Sequence, residues 1–189
     1  MSKGKCIIFC APSGSGKTTL VKHLLNQNDL NLTFSISATT RKIRKGEKQG
    51  KDYHFLTHNE FVQKINDGDF LEYEEVYNGI YYGTLKNSIE ALLKFNNIIF
   101  DIDVEGGIKL KSIFKKNALA IFVKPPSINA LRNRLNFRNK DSKESINIRL
   151  SKAKVELLKE KDFDQIIIND DLKSAKIKTY NLVNKFLDN

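Results

Sequence analysis

Residues 6–19 read CIIFCAPSGSGKTT, an apolar run followed by a glycine-rich loop that ends in Gly-Lys-Thr. The apolar run predicts a buried strand, and the sequence after the loop predicts a helix. A strand, a glycine loop and a helix in this order fit the phosphate-binding pattern G-x-x-x-x-G-K-[ST]. Gly16, Lys17 and Thr18 match that pattern, whereas Ala11 replaces its first glycine. The stretch therefore predicts a phosphate site in an α/β fold, and a glycine turn that only caps a helix is the alternative.

Phosphate binding by such a loop has a simple physical basis. Successive backbone N–H groups and the N-terminus of the following helix point at the phosphate oxygens. Lys17 is expected to reach the β- and γ-phosphates of ATP, and Thr18 is expected to hold Mg²⁺, partly through water. The loop residues that we predict to bind ATP are Ala11, Pro12, Ser13, Gly14, Ser15, Gly16, Lys17, Thr18 and Thr19.

A second apolar run ends in acidic residues, with the sequence IIFDID at residues 98–103. Ligands of open α/β sheets bind outside the carboxyl ends of the strands. Asp101 or Asp103 could therefore help to hold Mg²⁺ or a substrate beside the glycine loop. The alternative for either aspartate is a cap on the helix that follows.

The rest of the chain alternates short apolar strands with helices, which predicts a parallel sheet covered by helices on both faces. Two segments interrupt the alternation. Residues 37–84 contain a basic loop, a short helix and a hairpin predicted from its Asn78-Gly79 turn, and residues 137–145 are polar. Both are interpreted as insertions on a single α/β domain, and such excursions commonly carry binding residues.

A basic stretch, SISATTRKIRKGEKQGKDYHF, occupies residues 35–55. Arginine binds phosphate through a two-pronged fork, so Arg41 and Arg44 could clamp a second, smaller phosphate. Tyr53 and Tyr82 could donate hydroxyl hydrogen bonds to the same group. The lysines of the stretch are more simply read as solvated surface residues.

Composition limits the broad class of protein. A net charge of +10 is compatible with nucleic-acid binding, with a lysine-rich solvated surface, or with sites for small anionic ligands. No apolar run approaches the roughly 18 residues of a membrane span, and no signal peptide is visible. In one extended strand Cys6 and Cys10 are too far apart for a disulfide, and free thiols favour a reducing compartment. We therefore expect a cytoplasmic protein with no membrane partner. Because no RNA- or DNA-binding motif accompanies the charge, we also expect no nucleic-acid partner.

The basic stretch resembles the GMP-binding signature of guanylate kinases, S-x-S-x-T-T-R-x-x-R-x-G-E-x-x-G-x-D-Y-x-F. The resemblance continues through FLEYEEVYNGIYYGT, DIDVEGG, KPPS, RLNFRNKDSKESINIRL and IIINDDL, and covers nearly the whole chain. It implies a P-loop NTPase fold with a parallel sheet flanked by helices, in one domain over residues 1–189. The implied parts are a core of about 1–36, 85–136 and 161–189, a GMP-binding insertion of about 37–84 and a lid of about 137–160.

The implied reaction is transfer of the γ-phosphoryl group of MgATP to GMP, and also to dGMP, as a step of purine nucleotide metabolism. Mg²⁺ is the implied cofactor, and ATP and GMP are the implied partners, with the oligomeric state left open. The implied GMP-binding residues are Ser37, Arg41, Arg44, Glu47, Tyr53, Glu72, Tyr82, Thr84 and Asp103. The implied catalytic residues are Lys17, Arg44, Arg138 and Arg149, and the implied adenine-side residues are Asn169 and Asp170. Arg134 is a weaker lid candidate.

This sequence departs from the family pattern at two of these places. Thr84 stands where a serine is common and keeps the hydroxyl, and Asn139 stands where a glycine usually follows the lid arginine. The residue chemistry agrees with the implied acceptor, because guanine presents two N–H donors on one edge. The Glu72 carboxylate has only acceptors and can take both, whereas adenine would leave it partly unpaired.

Three other functions remain open from the sequence. The first is a related P-loop kinase that phosphorylates another small phosphate ester. The second is a scaffold domain of the same shape that binds peptides without catalysis, although Lys17, Thr18 and Arg44 favour an enzyme. The third is nucleic-acid binding, which would show a steep salt dependence.

Overall fold

The computed structural model describes residues 4–77, 79–137 and 143–188. Within these residues the strands form two separate sheets. The strands are β1 Cys6–Cys10, β2 Leu32–Phe34, β3 Ala38–Thr39, β4 His54–Phe55, β5 Phe70–Tyr77, β6 Ile80–Leu85, β7 Asn97–Ile102, β8 Ala118–Lys124 and β9 Gln165–Ile168. The α-helices are α1 Lys17–Leu25, α2 His58–Asn66, α3 Lys86–Leu92, α4 Val104–Phe114, α5 Ile128–Phe137, α6 Lys143–Leu157 and α7 Leu172–Asp188.

The larger sheet has five strands in the order β2-β7-β1-β8-β9, and every pair in it is parallel. Its central strand β1 is buried along its whole length, as its uninterrupted apolar sequence predicts. Helices lie on both faces, so the predicted α/β architecture is confirmed. Because all five strands point the same way, their carboxyl ends meet at one edge of the sheet.

Two apolar cores flank this sheet, and the alternation of side chains along β1 separates them. Cys6, Ile8 and Cys10 belong to the core that includes residues of α3 and α4. Ile7 and Phe9 belong to the opposite core, which includes residues of α1 and α7. Both cysteines are buried and free, as the spacing in one strand predicts.

The smaller sheet has four strands in the order β4-β3-β6-β5. Its hairpin, β5 with β6, is the predicted one, and the predicted turn residue Asn78 lies outside the described residues. The basic stretch predicted as a loop contributes β3 and β4, two strands of two residues each. Strands this short leave no periodic pattern, and they form because β3 pairs with both β4 and β6.

Two short connections join the sheets. Strand β2 ends at Phe34, and only residues 35–37 separate it from β3. On the return path, Leu85 ends β6 and Lys86 begins α3 without a loop. The smaller sheet is therefore tied closely to the carboxyl edge of the larger one.

Candidate active site

The glycine loop between β1 and α1 has the geometry of an anion-binding turn. Gly14 and Gly16 have φ of 93° and 92°, which favours glycine because side chains clash there. Gly16 is also the N-cap of α1 and has no side chain to satisfy the first-turn N–H groups. Thr19 N–H donates to the Gly16 carbonyl at 3.1 Å, whereas the Lys17 and Thr18 N–H groups are available to phosphate oxygens.

Lys17 and Thr18 both contact one carboxylate at the end of β7. Lys17 Nζ lies 2.7 Å from Asp101 Oδ1, and Thr18 Oγ1 donates to Asp101 Oδ2 at 2.7 Å. Lys17 Nζ also donates to the carbonyl of Ile102. Asp101 is thus the acid that directly meets the glycine loop, as the pattern of the second apolar run allowed.

The ion pair keeps both groups charged although each is mostly buried. Burial works to lower the pKa of Lys17, but the neighbouring negative groups, chiefly Asp101, together outweigh it and the pKa is raised. Burial works to raise the pKa of Asp101, but Lys17 together with Thr18 and Lys22 outweighs it and the pKa is lowered. The ammonium of Lys17 is therefore charged and held in a fixed position beside the glycine loop.

A second carboxylate, Glu72, comes from the smaller sheet. Its neighbour across the hairpin is Thr84, whose hydroxyl donates to Glu72 Oε1 at 2.5 Å. Glu72 is 6% exposed, and burial raises its pKa to about 7 against the hydrogen bond from Thr84, which lowers it. Asp103 adds to the rise, because it is another acid nearby.

Asp103 combines the two roles that the sequence left open. Its side chain caps α4 by accepting from the Gly106 N–H at 3.0 Å. It also lines the cavity between the glycine loop and Glu72. A helix cap and a substrate-facing acid are therefore compatible at this position.

The two arginines of the basic stretch are placed differently. Arg41 forms a two-pronged pair with Glu47, at 3.0 Å and 2.8 Å, and lies against the ring of Tyr53. Glu47 also accepts from the backbone N–H of Arg44 at 2.8 Å, so it fixes the local loop. The side chain of Arg44 is exposed and has no hydrogen-bond or ion-pair partner within the described residues.

The ion pair between Arg41 and Glu47 shifts the pKa values of both residues. Its hydrogen bonds are the main cause that raises the pKa of Arg41 and lowers the pKa of Glu47. Tyr82 also acts on Arg41, and the rings of Tyr53 and Tyr82 meet edge to face at 5.9 Å between centroids. These four side chains form one connected cluster beside Arg44.

Helix α6 brings further charged residues to the glycine loop. Arg149 donates to the hydroxyl of Ser13 at 3.0 Å. Lys152 and Glu156 line the same cavity, and burial raises the pKa of Glu156 to about 7. The predicted lid residues Arg138 and Asn139 lie outside the described residues.

Asn169 and Arg134 support the glycine loop from behind. The buried amide of Asn169 donates to the Ser15 carbonyl at 2.7 Å. Arg134 donates to the Asn169 carbonyl at 2.7 Å and to the Ser15 carbonyl at 3.4 Å. A Cβ at Gly16 would come within 2.2 Å of the Asn169 amide nitrogen, so the loop and Asn169 are in close contact. Asp170, the other predicted adenine-side residue, is exposed.

One cavity of about 420 Å³ connects these groups. The predicted residues that line it are Ala11, Pro12, Ser13, Gly14, Ser15, Gly16, Lys17, Thr18, Thr19, Ser37, Arg41, Arg44, Tyr53, Glu72, Tyr82, Asp101, Asp103 and Arg149. Five predicted residues in the described part of the chain do not line it, namely Glu47, Thr84, Arg134, Asn169 and Asp170. Of these, all but Asp170 contact residues that do.

Sequence reasoning missed several lining residues. Lys152 and Glu156 follow Arg149 at intervals of three and seven, which is the spacing of one helix face and could have indicated them. Val76 and Ile80 lie on the hairpin, where apolar residues are common, and carry no such signal.

Comparison with known proteins identifies the family. A family model described as guanylate kinase matches residues 3–188. The chain belongs to the guanylate kinase family. Guanylate kinases are nucleoside monophosphate kinases that act as ATP:GMP phosphotransferases, so the predicted family, fold and enzyme class are confirmed.

Individual guanylate kinases agree with this assignment. The guanylate kinase of Bacteroides thetaiotaomicron is 52% identical over 186 residues, which cover 98% of this chain and 91% of that protein. The guanylate kinase of Porphyromonas gingivalis is 49% identical over 169 residues, covering 89% and 90%. The crystal structure of guanylate kinase from Anaplasma phagocytophilum matches with a TM-score of 0.80 and 29% identity, covering 100% of this chain and 88% of that one.

Among the described residues, no helix combines the length and the apolar character that crossing a bilayer requires.

Proposed function

We propose that this chain transfers the γ-phosphoryl group of MgATP to GMP and releases ADP and GDP. One observation carries the proposal beyond family membership: the phosphate loop and the buried carboxylate of Glu72 line the same cavity. The loop supplies a site for the phosphates of ATP, and Glu72 supplies hydrogen-bond acceptors that recognise the guanine base of GMP. GDP formation is a step of purine nucleotide metabolism.

The donor half is the glycine loop with Lys17, Thr18 and Arg149. Free N–H groups at the start of α1 suit the β- and γ-phosphates of ATP. Lys17 is charged and already held by Asp101, so little reorganisation is needed when the nucleotide binds. Arg149 contacts Ser13 of the loop and is therefore close enough to act on a phosphate bound there.

The residues beside the loop fit a magnesium ion. Thr18 Oγ1 and Asp101 Oδ2 are hard oxygen donors 2.7 Å apart at the loop's exit. Among the described residues no group of three or more His, Cys, Asp or Glu could hold a metal. Mg²⁺ would therefore be held by Thr18 and Asp101, partly through water, together with the substrate phosphates. When bound, it neutralises charge on those phosphates.

The acceptor half is the smaller sheet with its basic stretch. We assign Arg41, Arg44, Tyr53 and Tyr82 to the phosphate of GMP, with Glu47 holding Arg41 in place. Arg44 is suited to bind an added phosphate, because its exposed guanidinium has no hydrogen-bond or ion-pair partner among the described residues. The residues that we assign to the guanine base are Ser37, Glu72, Thr84 and Asp103.

Glu72 gives the acceptor half its selectivity. When ionised, the Glu72 carboxylate can accept hydrogen bonds from both N–H groups on the guanine edge. Its Oε1 also accepts the hydrogen bond from Thr84, which holds the carboxylate in place. Adenine would leave the buried carboxylate partly unpaired, which is costly. All the assigned contacts involve the base or the phosphate, and none involves the ribose 2′-hydroxyl that dGMP lacks. We therefore extend the proposal to dGMP.

The chemistry needs no protein base, because the acceptor is already an anionic phosphate. Positioning and charge neutralisation account for most catalysis of phosphoryl transfer. We assign that work to Lys17, Arg44, Arg149 and Arg138, the last of which lies outside the described residues. On this view residues 37–84 are the acceptor insertion and residues 137–160 are the lid of a single domain.

The adenine side and the cellular location complete the proposal. We assign Asn169 and Asp170 to the adenine side of ATP, beside the glycine loop. A reducing cytoplasm suits the two buried free thiols, Cys6 and Cys10.

The direct test is ADP formation from MgATP with GMP, dGMP, AMP, CMP or UMP as acceptor. The proposal expects strong preference for GMP and measurable turnover with dGMP. Equal turnover with several monophosphates would indicate a broader kinase. A folded protein that binds GMP without any turnover would indicate a silent binding module instead.

A further inference from the structure

Gly106, in the first turn of α4, has a neighbour that its sequence position does not reveal. A Cβ built on Gly106 would lie 2.8 Å from Oε2 and 3.3 Å from Cδ of Glu72. The next nearest atom, Cδ1 of Ile102, would be at 3.6 Å, which is an ordinary contact. The carboxylate of Glu72 thus occupies the place where a side chain at this position would be.

The backbone of Gly106 meets the other base-side acid as well. Its N–H donates to Asp103 Oδ1 at 3.0 Å, which is the cap of α4. One residue therefore contacts both carboxylates of the acceptor half, Asp103 through its amide and Glu72 through its bare Cα.

Backbone conformation does not explain a glycine here. Gly106 is not among the glycines with positive φ, so other residues could adopt its backbone conformation. Alanine has a higher helix propensity than glycine in a helical position. The fold of α4 alone would therefore favour alanine, and the contact that excludes it is the one with Glu72.

We infer that Gly106 is a positioning residue for acceptor selectivity, which rests on the proposed function. Its bare Cα lets the Glu72 carboxylate lie against the first turn of α4. There, Oε1 can keep its hydrogen bond from Thr84 while the carboxylate faces the cavity. A methyl group at Gly106 pushes Oε2 away, and the carboxylate turns out of the plane in which it reads guanine.

The side chain of Glu72 makes this a selective change rather than a folding defect. The atom that clashes is the end of a flexible side chain, so it can move while the backbone of α4 stays in place. Gly107 is the opposite case, because a Cβ there would lie 2.0 Å from the buried Sγ of Cys10. The two neighbouring glycines thus give one test position and one matched control.

The experiment compares wild type, Gly106→Ala and Gly107→Ala by steady-state kinetics and thermal unfolding. For Gly106→Ala we expect the KM for GMP to rise about tenfold, the effect of one weakened hydrogen bond to a charged group. The KM for ATP and the melting temperature should stay at wild-type values, and the preference for GMP over AMP should fall. For Gly107→Ala we expect a lower melting temperature with the wild-type ratio of the two KM values.

A second set of variants, built on Glu72→Asp, tests the contact between Gly106 and Glu72 itself. Glu72→Asp shortens the acid by one methylene and withdraws it from Gly106. Adding Gly106→Ala to Glu72→Asp should therefore change the KM for GMP less than about twofold, because coupled residues are non-additive. The same tenfold rise in both backgrounds would overturn the inference.

The remaining outcomes are also decisive. An unchanged KM for GMP in Gly106→Ala, an equal rise for ATP, or failure to fold would each overturn the positioning role. Wild-type protein without preference for GMP would overturn the proposed function, and this inference with it. Wild-type preference that Gly106→Ala retains would overturn the inference alone.

Discussion

Glu72 and Thr84 face each other across the hairpin of the smaller sheet, and the threonine hydroxyl donates to the carboxylate at 2.5 Å. Both residues are buried, and the hydroxyl occupies one oxygen of the acid. The acid is therefore oriented before any ligand binds. Thr84 does not line the cavity itself, so under the proposed function it would act on the guanine base through Glu72.

Thr84→Val keeps the shape of the side chain and removes the donor. We expect the KM for GMP to rise about tenfold, because hydrogen bonds to charged groups contribute about 1.5–3 kcal/mol. Thr84→Ser is the matched control and should keep the wild-type value. Steady-state kinetics with GMP and with ATP checks this, and an equal change in both KM values would contradict it.

Glu156 predicts a pH dependence of stability. Its side chain is 13% exposed, and burial raises its pKa to about 7, opposed by Lys152 and Lys17 and assisted by Asp103 and Glu105. The folded state therefore binds more protons than the unfolded state between about pH 4.5 and 7. The contribution of this group is present below that range and is lost as the pH rises through 7.

The measurement is urea unfolding of wild type and Glu156→Gln between pH 5 and 8. We expect the free energy of unfolding to fall less steeply with pH in the variant, by up to about 3 kcal/mol over this range. Glu144→Gln changes an exposed acid near the start of the same helix and should keep the wild-type slope. Identical slopes for wild type and Glu156→Gln would show that Glu156 titrates normally.

Removing Lys17 should separate catalysis from stability. Lys17→Ala leaves Asp101 without its counter-ion, which costs about 3 kcal/mol of unfolding free energy or more. Turnover should fall about 10²–10³-fold, the typical loss for one preorganised donor. Adding Asp101→Asn should restore most of the stability and none of the turnover. Recovery of turnover in the double variant would refute the phosphate role of Lys17.

Asn169 allows the adenine-side prediction to be tested against a structural role. Its amide already holds the Ser15 carbonyl, so Asn169→Ala should raise the KM for ATP through a looser glycine loop. A residue that contacts adenine would affect ATP more than GTP as donor, whereas a loop support affects both equally. The ratio of kcat/KM for the two donors, in wild type and variant, distinguishes these roles.

The sequence predicts the parts of this molecule that depend on local pattern. The glycine loop has a fixed spacing around Lys17, and β1 is an uninterrupted apolar run, so both are recognisable in isolation. The hairpin is also predicted from a local pattern, its Asn78-Gly79 turn. The larger sheet then follows from the alternation of strands and helices.

Features that depend on distant contacts could not be predicted in this way. Strands β3 and β4 are too short for periodicity and exist because β3 pairs with both β4 and β6. The support of Ser15 by Asn169 joins residues 154 positions apart, and the signature shows only that Asn169 is present. Gly106 belongs to a recognisable motif, but its contact with Glu72 becomes visible only when α4 and β5 are packed together.

The short links between the two sheets have a mechanical consequence. Three residues, 35–37, connect β2 to β3, and the junction of Leu85 with Lys86 connects β6 to α3. Two short connections permit rotation of the smaller sheet about the line between them, but they resist its movement away from the larger sheet. A small swing about that axis is amplified with distance along the hairpin. Rotation about this axis would thus change the distance between the phosphate loop and the smaller sheet while the loop itself stays in place.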